Sequence, residues 1–262
     1  MARLRHVDFS LVVLALMLAF CIAGVVDLVR TYPEANRGML LFARAQKDMF
    51  IDYGLVAQSY HVRANVDLSR VLRSETVIVG TRTSPHTVYL GAGVILGEHH
   101  GMLMVVTAKH IIAHPGRHFV VFGNYTGRFT SRVVADPNHD LAIVFVRPRP
   151  GTTYRPARIA QVSFRSGQRF IVMGHPGDQS WTASPGVAER HMDTTLLFCP
   201  TCDRGDSGAG AFDNSGNLRG IVVTKAVMFV PSAKDGTDFR LTAFEIERPD
   251  AVRALVRRAV MN

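Results

Sequence analysis

Cysteine is scarce in this chain: Cys21, Cys199 and Cys202 are its only three, too few for a disulfide scaffold. Acidic residues are also in the minority, 21 against 30 lysines and arginines, which leaves a formal charge of +9 at pH 7. The basic residues stand singly or in pairs, so the surplus reads as a solvated surface, and no nucleic-acid partner is expected. Disorder is excluded by composition. Of 262 residues, 47% are hydrophobic and only 19% charged, enough for a sizeable core in one large domain or two small ones.

The N-terminus holds a long apolar run. Arg3 and Arg5 precede Phe9 to Val26, 18 residues without a charge, closed by Asp27 and Arg30. That length is near the lower limit for a membrane span. The basic flank predicts the N-terminus inside and the rest outside, whether residues 1–30 stay as an anchor or are cut as a signal peptide after Ala23. The length of the run favours the anchor. Phe20 is too large for the position before a lipidated Cys21. The expectation is therefore an inner-membrane anchored chain whose main domain lies outside the cytoplasm, or a secreted one if the segment is cleaved. Residues 31–75 read as a helical spacer, with Pro33 at a helix start and a further short helix over Val66 to Arg73.

From Thr76 the pattern changes to short β-branched runs between turn residues. Thr76–Val79, Thr87–Leu90, Gly93–Leu96, Met102–Thr107, Phe119–Phe122, Arg128–Ala135 and Leu141–Val146 read as strands. Phe170–Met173, Thr194–Phe198, Gly210–Phe212, Leu218–Val223 and Phe239–Ile246 continue the series. Many short strands and few helical periods indicate an all-β barrel or sandwich over 76–262. The clear helix of this region is the last one, opening at Pro249 and spaced by Val252, Leu255, Val256 and Val260.

Three polar residues stand out against this frame. Ser207 lies in Gly205-Asp206-Ser207-Gly208, a turn that brings backbone N–H groups to one oxygen. His110 ends the apolar run Val105 to Ala108, and Asp140 precedes Leu141 to Val146. Serine needs an imidazole to take its proton, and the imidazole needs a carboxylate to hold its tautomer and its charge. The order His, Asp, Ser removes rivals. No histidine follows His191, which excludes the order Ser, acid, His of α/β-hydrolases. No suitable aspartate precedes His110, which excludes the subtilisin order. Ile111 follows His110 where a zinc protease has glutamate, so His110 and His114 are not a metal pair. His114, His118 and His175 read as surface or loop-tethering residues.

With these residues in view, the chain resembles the chymotrypsin-fold serine peptidases, and among them the HtrA-like trypsin-like peptidases of bacteria, from about Thr76 to Ala254. The motifs are Gly91-Ala92-Gly93-Val94-Ile95, Val106-Thr107-Ala108-Lys109-His110, Asp136 to Val144, Met173-Gly174-His175-Pro176-Gly177, Gly205 to Gly208, and Gly216-Asn217-Leu218-Arg219-Gly220-Ile221. The resemblance implies two six-stranded antiparallel barrels, no metal or organic cofactor, and protein or peptide substrates. It implies His110 as general base, Asp140 as its orienting acid and Ser207 as nucleophile, with an oxyanion hole at Gly205 and Ser207. Only the terminal helix follows the domain, so no PDZ module is expected.

Asp206 stands where the HtrA pattern commonly has asparagine. It is expected to meet an internal cation, Arg204 or Lys225. Thr201, Val223 and Lys225 are the candidate substrate-binding positions, the strand after Ile221 offering its edge to an added peptide strand. Cys199 and Cys202 fit a small disulfide in an oxidising compartment. Two functions are in play: an exported endopeptidase working through an acyl-enzyme, and a silent or latent domain that binds a protein partner. The complete set of three residues favours the first.

Overall fold

The computed structural model describes residues 66–148, 150–152, 154–191, 194–199, 201–230 and 239–261. The expected anchor over 1–30 and the spacer up to residue 65 lie outside these. Among the described residues no helix is long and apolar enough to cross a membrane.

Helix α1, Val66–Glu75, runs two residues beyond the expected end. Asp67 in its first turn and Arg73 in its last complement the helix dipole, and its buried Leu72 joins the core. The β-branched run from Thr76 then takes over. Seven strands follow: β1 (Thr76–Arg82), β2 (Val88–His99), β3 (Met102–Ala108), β4 (Arg117–Val121), β5 (Gly127–Phe129), β6 (Arg132–Ala135) and β7 (Leu141–Val146). Their order in the sheet is β5-β4-β1-β2-β3-β7-β6. Two readings change here. Thr87–Leu90 and Gly93–Leu96, taken as two strands, are one, because Gly91 and Gly93 pack closely instead of turning. Arg128–Ala135, taken as one strand, breaks where the chain changes partner. Thr130 N–H donates to His118 O at 3.0 Å and Ser131 N–H to Phe145 O at 2.9 Å, so two residues link opposite ends of the sheet order.

The second sheet holds β8 (Arg158–Ile159), β9 (Arg169–Gly174), β10 (Thr182–His191), β11 (Thr194–Phe198), β12 (Gly210–Phe212), β13 (Asn217–Val230) and β14 (Phe239–Glu247). The order is β12-β9-β10-β11-β14-β13-β8, and β12 also pairs with β13. Six strands thus close into a ring, with β8 added in parallel to β13. The fold is all-β and chymotrypsin-like, but only this ring is a closed six-stranded barrel. The first sheet is a half-barrel instead of the second barrel expected, because its end strands β5 and β6 are joined through Thr130 and Ser131 and do not pair with each other. Strands β8 and β10 were not foreseen, and β10 contains Pro185-Gly186, which reads as a turn.

All six residues of β7 are buried. They join Val77, Val79, Val105, Val106 and Val120 in one core, while Phe164, Phe170, Val172, Leu197 and Ala211 form another. Each valine, leucine, isoleucine or phenylalanine among them contributes about 1.5–3 kcal/mol on burial. Helix α3, Pro249–Met261, lays Val252, Leu255 and Ala259 on the first core. Polar bonds fix it to both sheets: Arg132 donates to Ala259 O at 3.2 Å, Arg258 meets Asp136 at 3.3 Å, and Arg253 donates to Ala160 O and Gln161 O.

Glu75, at the junction of α1 and β1, is only 2% exposed. One carboxylate oxygen lies 3.4 Å from Arg155 Nε, while the other has no hydrogen-bond partner. Burial outweighs the Arg155 charge and pushes its pKa up to about 7. A carboxyl raised above its ordinary 4.5 contributes stability that is complete below that value and is lost as pH rises through 7. Glu75→Gln should therefore unfold at higher urea than wild type at pH 8, by roughly 2–3 kcal/mol. The gap should close towards pH 4.5, and a gap independent of pH would contradict this account.

Candidate active site

Strand β3 ends at Ala108 and the chain enters a single helical turn, α2, Lys109–Ile112. Ile111 and Ile112 are buried and hold this turn down. His110 therefore sits in a helical turn just past the strand end. The ladder of β3 with β7 pairs Ala108 with Leu141, which sets the next residues of one strand beside the preceding residues of the other. Lys109 N–H donates to Asp140 O at 3.1 Å. His110 N–H donates to Asp140 Oδ1 at 2.9 Å, and His110 Nδ1 lies 2.6 Å from Asp140 Oδ2. An ionised carboxylate only accepts, so Nδ1 carries the proton and Nε2 keeps its lone pair.

Burial alone would raise the Asp140 carboxyl, but the bonds and charge of His110, with Lys109 nearby, hold it below the usual carboxylate range. Asp140 N–H is in turn held by Glu247 Oε1 at 3.1 Å. The preceding carboxylate, Asp136, has a different task. It is 3% exposed and shapes the loop, accepting the amides of Asn138 and His139 at 2.9 and 3.1 Å. Lys109 Nζ donates to its carbonyl at 2.9 Å.

The turn around Ser207 comes from the second sheet and is tied at every step. Asp206 N–H donates to Asp203 O, Gly208 N–H to Val222 O and Ala209 N–H to Asp206 O, all between 2.6 and 3.1 Å. Gly205 and Gly208 take φ of 100° and 85°, which favours glycine. Space imposes the same choice: a Cβ on Gly205 would stand 2.2 Å from His175 O, and one on Gly208 2.1 Å from Ala92 O. Ala92 N–H donates to Ser207 O at 2.7 Å. The turn is thus seated on β2 beside the end of β3, where α2 begins. No hydrogen bond joins Ser207 Oγ to His110. Among the described residues, Nε2 of His110 and the amides of Gly205 and Ser207 have no protein partner.

Asp206 does not meet a cation, contrary to expectation. It is fully buried, with Oδ1 accepting His175 N–H at 2.9 Å and Oδ2 accepting Asp203 N–H at 3.0 Å. Arg204 is exposed, and Lys225 Nζ lies 4.0 Å from Asp203 instead. Burial raises Asp206 to about 6 against the pull of the two amides. His175 is not a surface residue either, being 6% exposed. Trp181 N–H donates to its Nδ1 at 3.0 Å, so its Nε2–H faces Val77 O at 3.3 Å, and burial takes this imidazole down to about 4. It tethers the loop as a neutral ring. His118 Nδ1 meets Thr81 at 2.8 Å, and His114 stacks on Tyr89.

Of the candidate specificity residues, Thr201 and Lys225 are exposed, while the Val223 side chain is turned inward at 5% exposure. Cys199 and Cys202 are joined by a disulfide and belong to the second core. Glu247, Trp181 and the support from β2 were missed by sequence reading. Glu247 ends a strand with no motif around it, and only the unusual Gly91-x-Gly93 hinted at β2.

The trypsin-like peptidase domain family matches residues 91–221. No curated protein matches the chain. Among solved structures, the chain is similar to the Rv3671c protease of M. tuberculosis. Against its active form the TM-score is 0.59 at 20% identity, covering 72% of this chain and 82% of that one. Against its inactive form the values are 0.57 and 19%, covering 74% and 93%. The serine endoprotease of Yersinia pestis gives 0.57 and 18%, covering 74% of this chain and 66% of that one.

A Cβ on Gly174 would stand 2.0 Å from Asp206 Oδ1. Gly174→Ala is expected to lower stability by about 2–3 kcal/mol in urea unfolding, because the buried carboxylate has nowhere to shift. Gly123→Ala, whose nearest neighbour would be 3.8 Å away, is the control and should change little. Equal losses at the two positions would refute the packing argument.

Proposed function

This chain belongs to the trypsin-like peptidase domain family, and on that premise we propose that Ser207, His110 and Asp140 are the catalytic triad of this serine endopeptidase. The observation that carries the reading is the double bond of Asp140 to His110, side chain at 2.6 Å and backbone at 2.9 Å. It leaves Nε2 basic and gives the imidazolium a counter-charge when it forms. Ser207 Oγ attacks the scissile carbonyl as Nε2 takes its proton. The resulting oxyanion is held by the unengaged amides of Gly205 and Ser207, each worth about 3 kcal/mol of transition-state stabilisation. His110 passes the proton to the leaving amine, and an acyl-enzyme remains. Water then repeats the sequence, with His110 again as base, and releases the acid.

The substrates are proteins or peptides. Thr201 and Lys225, both exposed, are positioned to meet them, while Val223 contributes through its backbone. The apolar run of Phe9 to Val26 behind two arginines, together with the Cys199–Cys202 disulfide, supports a domain exported from the cytoplasm and tethered by its N-terminus. One observation favours a second reading, a latent peptidase: Ser207 makes no hydrogen bond with His110. Such bonds are often formed only with substrate in place, so the active reading stands first.

A fluorophosphonate probe on the purified chain separates the two. Wild type should label at Ser207, Ser207→Ala not at all, and His110→Ala and Asp140→Asn about 10³–10⁴-fold more slowly. Folded wild type that stays unlabelled would establish latency.

A further inference from the structure

The outward face of the first sheet is apolar where solvent should find polar residues. Along β1, Val77, Val79 and Thr81 point inward and are fully buried. The alternate positions, Ile78, Gly80 and Arg82, face out. On the neighbouring strands this outer layer continues as Val88, Leu90, Phe119 and Phe129, of which Val88, Leu90 and Phe129 are 39%, 46% and 45% exposed. A sheet with one solvated face normally alternates apolar and polar residues. Gly80 explains how the patch becomes continuous. A Cβ there would stand 2.5 Å from Phe119 Cζ and 2.9 Å from Leu90 Cδ2, so both side chains lie down over the glycine.

Arginine borders the patch. Arg82 and Arg117 are directly opposite each other in the β1–β4 ladder and both are exposed. The Arg117 guanidinium lies 3.6 Å above the Phe129 ring. Like charges in directly opposed positions destabilise a sheet, and among the described residues neither arginine has a carboxylate within ion-pair distance. The chain has little to offer them, since Glu98 is the only acidic residue from Thr76 to Ala135, and Glu98 is engaged by the Tyr154 hydroxyl at 3.1 Å. A shallow cavity of about 320 Å³ adjoins these residues, lined in part by Arg117, His118 and Phe129.

We propose that this face, built on Val88, Leu90, Phe119 and Phe129 between Arg82 and Arg117, docks an extended segment of a protein substrate that presents apolar residues and carboxylates together on one of its faces. The missing partner of the two arginines is an anion, and the missing cover of the four side chains is apolar. A strand-like segment supplies both when apolar and acidic residues stand two apart, because residues i and i+2 share a face. The position fits a substrate: Leu90 precedes Gly91, whose Cβ would stand 2.6 Å from Ser207 O, so the patch begins beside the nucleophile's turn. A lipid surface fits less well, because Leu90 and Phe119 lie flat on the sheet and form no wedge to enter the headgroup layer. Only the word substrate rests on the peptidase reading.

The test is binding, which separates it from catalysis. The full-length Ser207→Ala chain is titrated against a fluorescein-labelled peptide of about twelve residues in which leucine and glutamate take turns at every second position with serine between them, with fluorescence anisotropy as readout. Arg82→Glu with Arg117→Glu should weaken binding at least roughly tenfold, as should Phe129→Ser, and a leucine–lysine peptide should bind no variant but the charge-reversed one. Trp181, the only tryptophan, reports by its emission that each variant is folded. Equal binding of the two peptides, or no loss in the charge-reversed chain, overturns the proposal. So does loss of binding to phosphatidylserine vesicles on charge reversal with no change towards the peptide, since that assigns the face to a membrane.

Discussion

The hydrogen bond from Ala92 N–H to Ser207 O, 2.7 Å long, is the contact on which the site depends. It is a backbone bond between a turn of the second sheet and a strand of the first. Gly91 and Gly208 are glycines because of it: a Cβ on the first would meet Ser207 O and one on the second Ala92 O. Thr107 adds its hydroxyl to the same Ala92 carbonyl at 2.7 Å, one residue before β3 ends. The strand that delivers His110 and the turn that holds Ser207 are thereby referred to one short piece of β2. The turn is held by backbone bonds, and no side chain of the proposed triad takes part in them.

The buried charge beside the nucleophile shows which force prevails inside the fold. Asp206 is fully enclosed, and the pull of burial on its carboxyl is stronger than that of its two amide donors, which is why its pKa rises. A cation at hydrogen-bond distance would have reversed that sign. The carboxylate instead works as a backbone clasp, joining the amide of His175 to that of Asp203 across the base of the turn. His175 is fixed from the other side by Trp181, and the Trp181 indole N–H donates to Thr76 O at 3.0 Å. A continuous polar path thus runs from the start of β1 to the residue before Ser207.

Much of this was legible in the sequence, and the limits have physical causes. Period-two and fully apolar runs marked most strands because their burial is uniform. Strand β10 escaped notice because Pro185 and Gly186 interrupt it, and a closed ring supplies neighbours that compensate for both. The proposed triad stands out in sequence because His110, Asp140 and Ser207 each lie beside a strong local pattern, an apolar strand or a run of glycines. Asp136 and Asp140 differ less in sequence than in role: Asp140 is marked by its place at the start of an apolar strand, and the β3–β7 register, Ala108 opposite Leu141, is what sets it beside His110. Asp206 was misread because a buried carboxylate suggests a cation, whereas backbone amides, which leave no trace in sequence, satisfy it. Glu247 was invisible for a similar reason, its role being a single bond to a residue 107 positions away.

The two halves of the site differ in how firmly they are set. His110 and Asp140 share one ladder, so their geometry is fixed by the same register that buries β7, and disturbing it means disturbing the core. Ser207 is held just as tightly, but to β2 and to Val222, through bonds that do not involve His110. The one interaction of the triad that no scaffold bond enforces is therefore Ser207 to His110, and it is the one absent here. On the proposed reading, Nε2 of His110 and the amides of Gly205 and Ser207 are left unengaged for a substrate that enters between them.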